Sequence, residues 1–532
     1  MDQVAQSLQP EPQPDPVVFN REIEIKLEAE RGKLQSALKL PALSGLTLQP
    51  RSRSLETIYY DTPDGALQKA GVALRVRRAW GRYIMTVKFP PNLSAGMFGR
   101  DEIEVRIASA EPDIEKFGAD IAARIRQIIV SGNVVPAFAT TFKRRAGLLE
   151  SAGVKIVLSV DSGTVEAGGN SLPLEEIELE LKEGNETVLY EIATNLAREG
   201  GLKLNPVTKA ERGSLLASGA SPDACKASVP PMPSTMVFDD YIAAVINLCI
   251  GQFVANWPAV TAGVRPEGVH QARVSLRRLR AMLGLFTRAV PAPEFRVFMA
   301  EAKQIAAALG PARDWDVFID MVNNGPLQVS PSDPSFPALL AAAKKRRDAA
   351  YQQARKLVTD TATTCFVLEL RSFAARRGWR YVLTGAELPV LGENARSFCI
   401  RTMNRLHKKA VRQGKQLAGL EIEQRHDLRK DLKRLPYAAE FCAPFFGGSR
   451  TLKRYSKAAG ELQDVLGAYN DQAVAMELIN TLEADAAATS GKASLARATG
   501  TVAGWCARGS ADADTGLELA WEKFMSRRRF WS

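Results

Sequence analysis

Between Arg21 and Glu28 the chain reads REIEIKLE, in which charged and aliphatic residues alternate from Glu22 onward. In a β-strand successive side chains point to opposite faces, so Glu22, Glu24 and Lys26 share one face while Ile23, Ile25 and Leu27 share the other. An ordinary sheet would leave that charged face in water, and only the partner strands decide whether it turns inward. The same parity recurs downstream: Arg75 with Arg77; Thr86 with Lys88; Arg100, Glu102, Glu104 and Arg106; Lys155 with Asp161; Glu176, Glu178, Glu180 and Lys182. Several opposite faces are aliphatic, as in Ile103, Val105 and Ile107, or Ile177, Leu179 and Leu181.

A sandwich would bury the aliphatic faces and hydrate the charged ones. A closed barrel reverses this, with charges lining a polar interior and helices covering the aliphatic outside. The barrel is favoured because several strands carry nearly pure charge at every second position. Carboxylate pairs on two strands, with Arg and Lys on others, also suit a triphosphate bound with a divalent metal. The carboxylates would hold Mg²⁺, which prefers oxygen ligands, and the cations would neutralise phosphate. The segments REIEIKLE, LETIYYD, VALRVRR, YIMTVKF, DEIEVRI, TTFKRR, KIVLSVD and EEIELEL predict eight strands, interrupted by helices around 114–129 and 187–199.

The motif Glu22-x-Glu24-x-Lys26, the stretch YYDTPDGALQKAGVALRVRR, the Lys88 strand, EIELEL and the later TKAERGSLL resemble the CYTH superfamily, the triphosphate tunnel metalloenzymes. The resemblance implies an eight-stranded antiparallel β-barrel, a tunnel that hydrolyses triphosphates with Mg²⁺ or Mn²⁺. It implies Glu22, Glu24, Glu178 and Glu180 as metal ligands, and Asp161 and Glu104 as supports for a second metal or its water. Lys26, Arg75, Arg77, Lys88, Arg144 and Lys209 match the phosphate-binding positions, Lys26 being counted with the catalytic groups as well. Lys143, Arg144 and Arg145 are consecutive, which leaves open which of them faces the tunnel. One metal would orient the phosphates while a second metal, or an acidic group, activates water for in-line attack, with pyrophosphate leaving. No G-x-S-x-G or P-loop motif is present, and His270, His407 and His426 all lie beyond these strands.

At 532 residues the chain is too long for one core. Residues 1–19 form a Pro-rich tail, expected to be disordered; 20–218 carry the tunnel; GASPDACKASVPPMPST at 219–235 reads as a linker; and 236–532 change to helical period, a duplicated all-α bundle divided at about 238–390 and 391–532. The uncharged stretch 241–264 could span a bilayer by length, but Asn247, Gln252, Asn256 and Pro258 favour a core helix and no membrane. Six cysteines without C-x-x-C spacing, and no basic segment before an apolar run, place the chain in the cytoplasm.

The formal net charge is +11, yet Lys and Arg fall two short of Asp and Glu over residues 1–234 and exceed them by thirteen afterwards. The basic excess thus belongs to the helical half and predicts a polyanionic partner there. In HQARVSLRRLR, His270, Arg273, Arg277 and Arg280 follow one helical stripe. HDLRKDLKRL repeats the pattern 156 positions later, where His426, Arg429, Lys433 and Arg434 correspond to His270, Arg273, Arg277 and Arg278. LGPARD is echoed by LGAYND after 157 positions, so the segment is duplicated. A further stripe, Arg401, Arg405, Lys408, Arg412 and Lys415, precedes the second copy.

This half resembles the CHAD domain, which implies polyphosphate binding by His270, Arg273, Arg277, Arg280, Arg405, Lys408, His426, Arg429 and Lys433. Pro436 stands where the first copy has Arg280, a departure from the pattern. The leading expectation is an inorganic triphosphatase, with long-chain polyphosphate on the helical half and nucleic acid not expected. The competing ones are an organic triphosphatase or class IV-type adenylate cyclase using the same tunnel, and a polyphosphate-binding module with a weakly active tunnel.

Overall fold

The alternating segment becomes β1, Val18–Glu28, and its two ends pair with different neighbours: Val18–Ile23 with β6, Gly99–Ile107, and Ile23–Glu28 with β9, Asn170–Glu183. That double pairing closes a ring. Around it run β5 (Arg82–Lys88), β4 (Ala73–Ala79), β3 (Arg53–Asp61), β7 (Val135–Ser151) and β8 (Val154–Ala167), all antiparallel, and β8 returns to β9. The expected eight-stranded barrel is present, with two short additions, β2 (Leu46–Leu48) on β7 and β10 (Lys203–Leu204) on β1. This computed structural model describes residues 18–79, 81–90, 99–130, 132–151, 153–414, 432, 434–447, 450–487 and 492–531. The chain divides into two units, 1–221 and 222–532.

The aliphatic faces point outward and are covered. Leu74, Val76, Met85, Val87 and Ile103 form one core with Phe117, Ile125 and Ile129, contributed by the short helix Ile114–Phe117 and the segment from helix Ala119–Ile128. Helix Glu186–Gly200, started by the Asn185 side chain accepting from the Thr187 amide, lies on β1 and β9. Burying such side chains stabilises by roughly 1.5–3 kcal/mol each, which lets the inner face be spent on charge.

The lumen is not charged throughout. Leu55, Tyr59, Phe138, Phe142, Val165 and Leu174 occupy inward positions on β3, β7, β8 and β9 and join Ala210 and Leu216 of helix Lys209–Ser218 in one apolar cluster. The helix comes so close that a Cβ on Gly213 would sit 2.0 Å from the Phe138 ring. Glycine is required there by contact, not by its backbone angles.

In the second unit, the expected core helix is two helices, Phe238–Ala255 and Trp257–Ala262. They part at Asn256, whose side chain accepts from the Cys225 amide at 2.9 Å and donates to the Cys225 and Gln252 carbonyls. The span Phe238–Ala262 is long and apolar enough to cross a membrane, but 67% of its most apolar window is buried within the protein. The first basic stripe lies on helix Glu267–Phe286. His426, Arg429 and Lys433 of the second lie outside the described residues.

Candidate functional site

Pairing of β1 with β9 sets Glu24 opposite Glu180 and Lys26 opposite Glu178. Pairing of β5 with β6 sets Lys88 opposite Glu102 and Thr86 opposite Glu104. Inward parity then gathers the acids Glu24, Glu104, Glu178 and Glu180 and the cations Lys26, Arg75, Arg77, Lys88, Arg144 and Lys209 around one cavity of about 220 Å³. Ten of the residues expected to form a tunnel site therefore share one chamber. Of the other two, the Glu22 side chain lies outside the described residues, and Asp161 stands behind the wall, fully buried. Sequence reasoning had not assigned Tyr59, Glu102 and Lys182, which also border the cavity.

Arg144 settles the ambiguity of the Lys143–Arg145 run. It faces Asp161 across β7 and β8 and clasps that carboxylate with two bonds, Nε to Oδ1 at 2.7 Å and Nη2 to Oδ2 at 2.6 Å, while also pairing with Glu178. Lys209 is the first residue of a helix whose entry is fixed by Thr208 and Glu211, each side chain bonding the other's backbone amide. Its ammonium lies 2.8 Å from Asp161 and 2.7 Å from Glu178, and it bonds Glu176 as well. Glu176 is 1% exposed and also accepts from the Asn205 side-chain amide at 3.3 Å.

The pairings set the charge states. Burial alone would raise the Glu178 carboxyl, but Lys209, Arg144 and Lys26 hold it well below the usual range. Burial likewise opposes ionisation of Glu102, and Arg75 and Lys88 outweigh it. Burial disfavours the Lys209 ammonium, yet Glu176, Glu178 and Asp161 raise its pKa. Arg77 differs: the adjacent Arg75, its own burial and then Arg144 bring it down to about 10.

A carboxyl whose folded pKa is depressed contributes stability that is present above its unfolded value, about 4.3, and lost as pH falls through the folded one. Acidification below about pH 4.3 is therefore expected to lower the melting temperature of the barrel unit through Glu178 and Glu102. Thermal unfolding followed by near-ultraviolet dichroism from pH 7 to pH 3 reads this, and a flat profile would contradict it.

The donor set fits a hard divalent cation, because every candidate ligand is a carboxylate oxygen. Glu24 and Glu180 are cross-strand neighbours on the cavity wall, and carboxylate oxygens of Asp161, Glu176 and Glu178 lie within 4.8 Å of one another. In that buried trio the positive charge is supplied by Lys209 and Arg144.

In the helical unit, a second cavity, of about 680 Å³, is bordered by His270, Arg273, Arg277 and Arg313 and by Asp314, Asp464 and Asp471. The LGPARD and LGAYND segments, 157 positions apart, thus meet at one chamber. Burial and Arg313 push His270 down to about 4, so near neutral pH it is a neutral hydrogen-bonding group and not a cation. Arg280 does not border this cavity and lies near Arg434 instead; Arg405 and Lys408 are exposed on helix Ala395–Gly414. Arg278, between the stripe residues, is buried and donates to Gln252 at 2.6 Å and Glu440 at 2.9 Å.

A helix-plugged barrel with a lumen of opposed carboxylates and cations, followed by a helical unit, defines the class of this protein. Residues 20–214 match the CYTH domain family and residues 244–480 match the CHAD domain family, so a CYTH domain is followed by a CHAD domain. The inorganic triphosphatase of Haemophilus influenzae is 31% identical over 208 residues, which is 38% of this chain and 56% of that relative. The match thus spans little more than half of the relative's length. Among solved structures, the CHAD domain of Ricinus communis is 24% identical, covers 57% of this chain and 98% of its own, and gives a TM-score of 0.48. PptA from Streptomyces chartreusis is 16% identical over 54% of this chain and all of its own, with a TM-score of 0.40.

Proposed function

We propose that the barrel hydrolyses inorganic triphosphate to pyrophosphate and phosphate with Mg²⁺ or Mn²⁺, and that the helical unit binds long-chain polyphosphate. The observation that carries the first part is Arg77. It pairs with no carboxylate among the described residues and is crowded by Arg75 and Arg144. Arg75 and Arg144 already have carboxylate partners, whereas Arg77 has, among the described residues, only the attraction of Glu104 without an ion pair, and a triphosphate would bring the missing charge.

Glu24, Glu178 and Glu180 would hold the metal, which when bound polarises phosphoryl oxygens as a Lewis acid. The chain's own cations orient the substrate. Lys26, Arg144 and Lys209 sit at the acidic wall, and Arg75 and Lys88 are steadied by Glu102, at 2.9 Å each. Glu104 borders the same space and accepts from Thr86 at 3.0 Å, which fixes one carboxylate oxygen and leaves the other for a proton of the attacking water. The test is phosphate release by the full chain from tripolyphosphate, ATP and thiamine triphosphate with Mg²⁺. Faster turnover of tripolyphosphate supports the reading; none without an organic group overturns it.

The helical unit is read from its cavity, where Arg273, Arg277 and Arg313 converge. Charge reversal in R273E/R277E is expected to weaken binding of long-chain polyphosphate by at least about a hundredfold, while tripolyphosphate hydrolysis stays within about twofold of the parent. Filter binding and phosphate release on the same preparation measure both. Equal loss of duplex DNA and polyphosphate binding would indicate an unselective basic surface.

A further inference from the structure

We propose that Tyr59, Thr57 and Thr140 form, with Arg77, a second kind of wall in the tunnel, one of hydrogen-bond donors that receives phosphoryl oxygens. The proposal rests on the reading of the barrel as a phosphate site. Thr57 and Tyr59 are neighbours on the inward face of β3; Thr57 stands opposite Arg77 on β4 and opposite Thr140 on β7, and Tyr59 stands opposite Arg75. The three are nearly or wholly buried, at 1% exposure for Thr57, 0% for Thr140 and 5% for Tyr59.

Neither threonine hydroxyl has a hydrogen-bond partner, nor do the Nε atoms of Arg75 and Arg77. Buried polar groups are nearly always paired, and each unmade bond costs about 1–3 kcal/mol. Four such atoms in one patch leave room for a partner from outside the chain, reached from the cavity that Tyr59, Arg75 and Arg77 border. Its chemistry follows from the groups: guanidinium nitrogens can only donate, and hydroxyls can donate or accept. Tyr59 stands opposite Arg75, and its hydroxyl can donate as well as accept. Tyr59 also borders the cavity, so this residue lines the ligand's space. A ligand rich in acceptors and free of donors satisfies this wall, and the oxygens of an inorganic polyanion have that character.

The tyrosine is also held in place for the task. Its ring stacks on Phe138 at 4.4 Å and 14°, and Phe138 is braced by the helix at Gly213. Fixing the ring beforehand removes an ordering cost from ligand binding.

The test uses full-length Y59F, T57V and, as a control, Y60F. Tyr60 lies on the outer face of the same strand and donates to the Ala110 carbonyl at 2.9 Å. Calorimetry with tripolyphosphate in EDTA reads binding, and phosphate release with Mg²⁺ reads turnover. Y59F and T57V are each expected to weaken binding at least about tenfold, as for loss of a hydrogen bond to a charged group, and Y60F to leave it unchanged. Unliganded T57V is expected to melt at or above the parent temperature, because an unmet buried hydroxyl has gone; a merely structural hydroxyl would lower it. Parent-like affinity in Y59F or T57V overturns the proposal, the hydroxyls then serving ordered water. If the parent binds tripolyphosphate in EDTA but does not hydrolyse it with Mg²⁺, the triphosphatase reading fails, and the variant affinities still decide the wall.

Discussion

Replacing Glu24 by Gln is expected to slow phosphate release from tripolyphosphate by on the order of 10³-fold, with the barrel still folded. Glu24 borders the cavity beside its cross-strand neighbour Glu180 and is among the described residues a direct partner only of Lys26. The amide keeps the shape and one oxygen but removes the negative charge that a divalent cation would require there, and metal polarisation in such a site is worth several kcal/mol. Because the Glu24 side chain is 15% exposed, the neutral replacement finds water and the melting temperature moves little. Initial rates over a Mg²⁺ titration measure the effect. A rate within tenfold of the parent at saturating Mg²⁺ would remove Glu24 from the metal site.

Replacing Lys209 by Met is expected to cost the barrel about 3–5 kcal/mol at pH 7, the range for breaking a buried ion pair from one side. Methionine fills the volume but leaves Asp161, Glu176 and Glu178 facing each other with Arg144 as the main remaining cation. The loss shrinks on acidification. Burial already raises the Glu176 carboxyl, and without the ammonium it rises further, so the variant's folded state takes up a proton more readily than its unfolded state. A folded pKa raised in this way gives stability that returns as pH falls towards the unfolded value of about 4.3. Urea denaturation at pH 7 and pH 5 checks it, and an equal deficit at both would mean that the trio's charge is balanced elsewhere.

Much of the barrel could be read from the chain because strand parity is local. Once Ile23, Ile25 and Leu27 are placed on one face, Glu22, Glu24 and Lys26 must share the other, and the same rule sorts Arg75 from Val76 and Glu178 from Leu179. Unmixed charge on several strands then argues for an inward face, and an inward face with carboxylates and guanidiniums names a class of ligand. The TTFKRRAG strand shows where this stops. Parity allows Lys143 and Arg145 together or Arg144 alone, and the choice came from the pairing of Arg144 with Asp161, seventeen residues away.

Neighbours within a few residues set the period of each half, the charged face of each strand and the duplicated basic motif. Tertiary contact decided how β1 shares itself between β6 and β9, that Lys209 reaches from a helix into the Asp161–Glu176–Glu178 trio, and that part of the lumen is filled by an apolar cluster with Tyr59, Phe138 and Phe142. It also turned His270, Arg273 and Arg277 towards one cavity while leaving Arg280 outside it. These features depend on which distant segments meet. Ion pairs, unmet hydroxyls and like-charge crowding have meaning only once closure of the ring has removed water and fixed the partners.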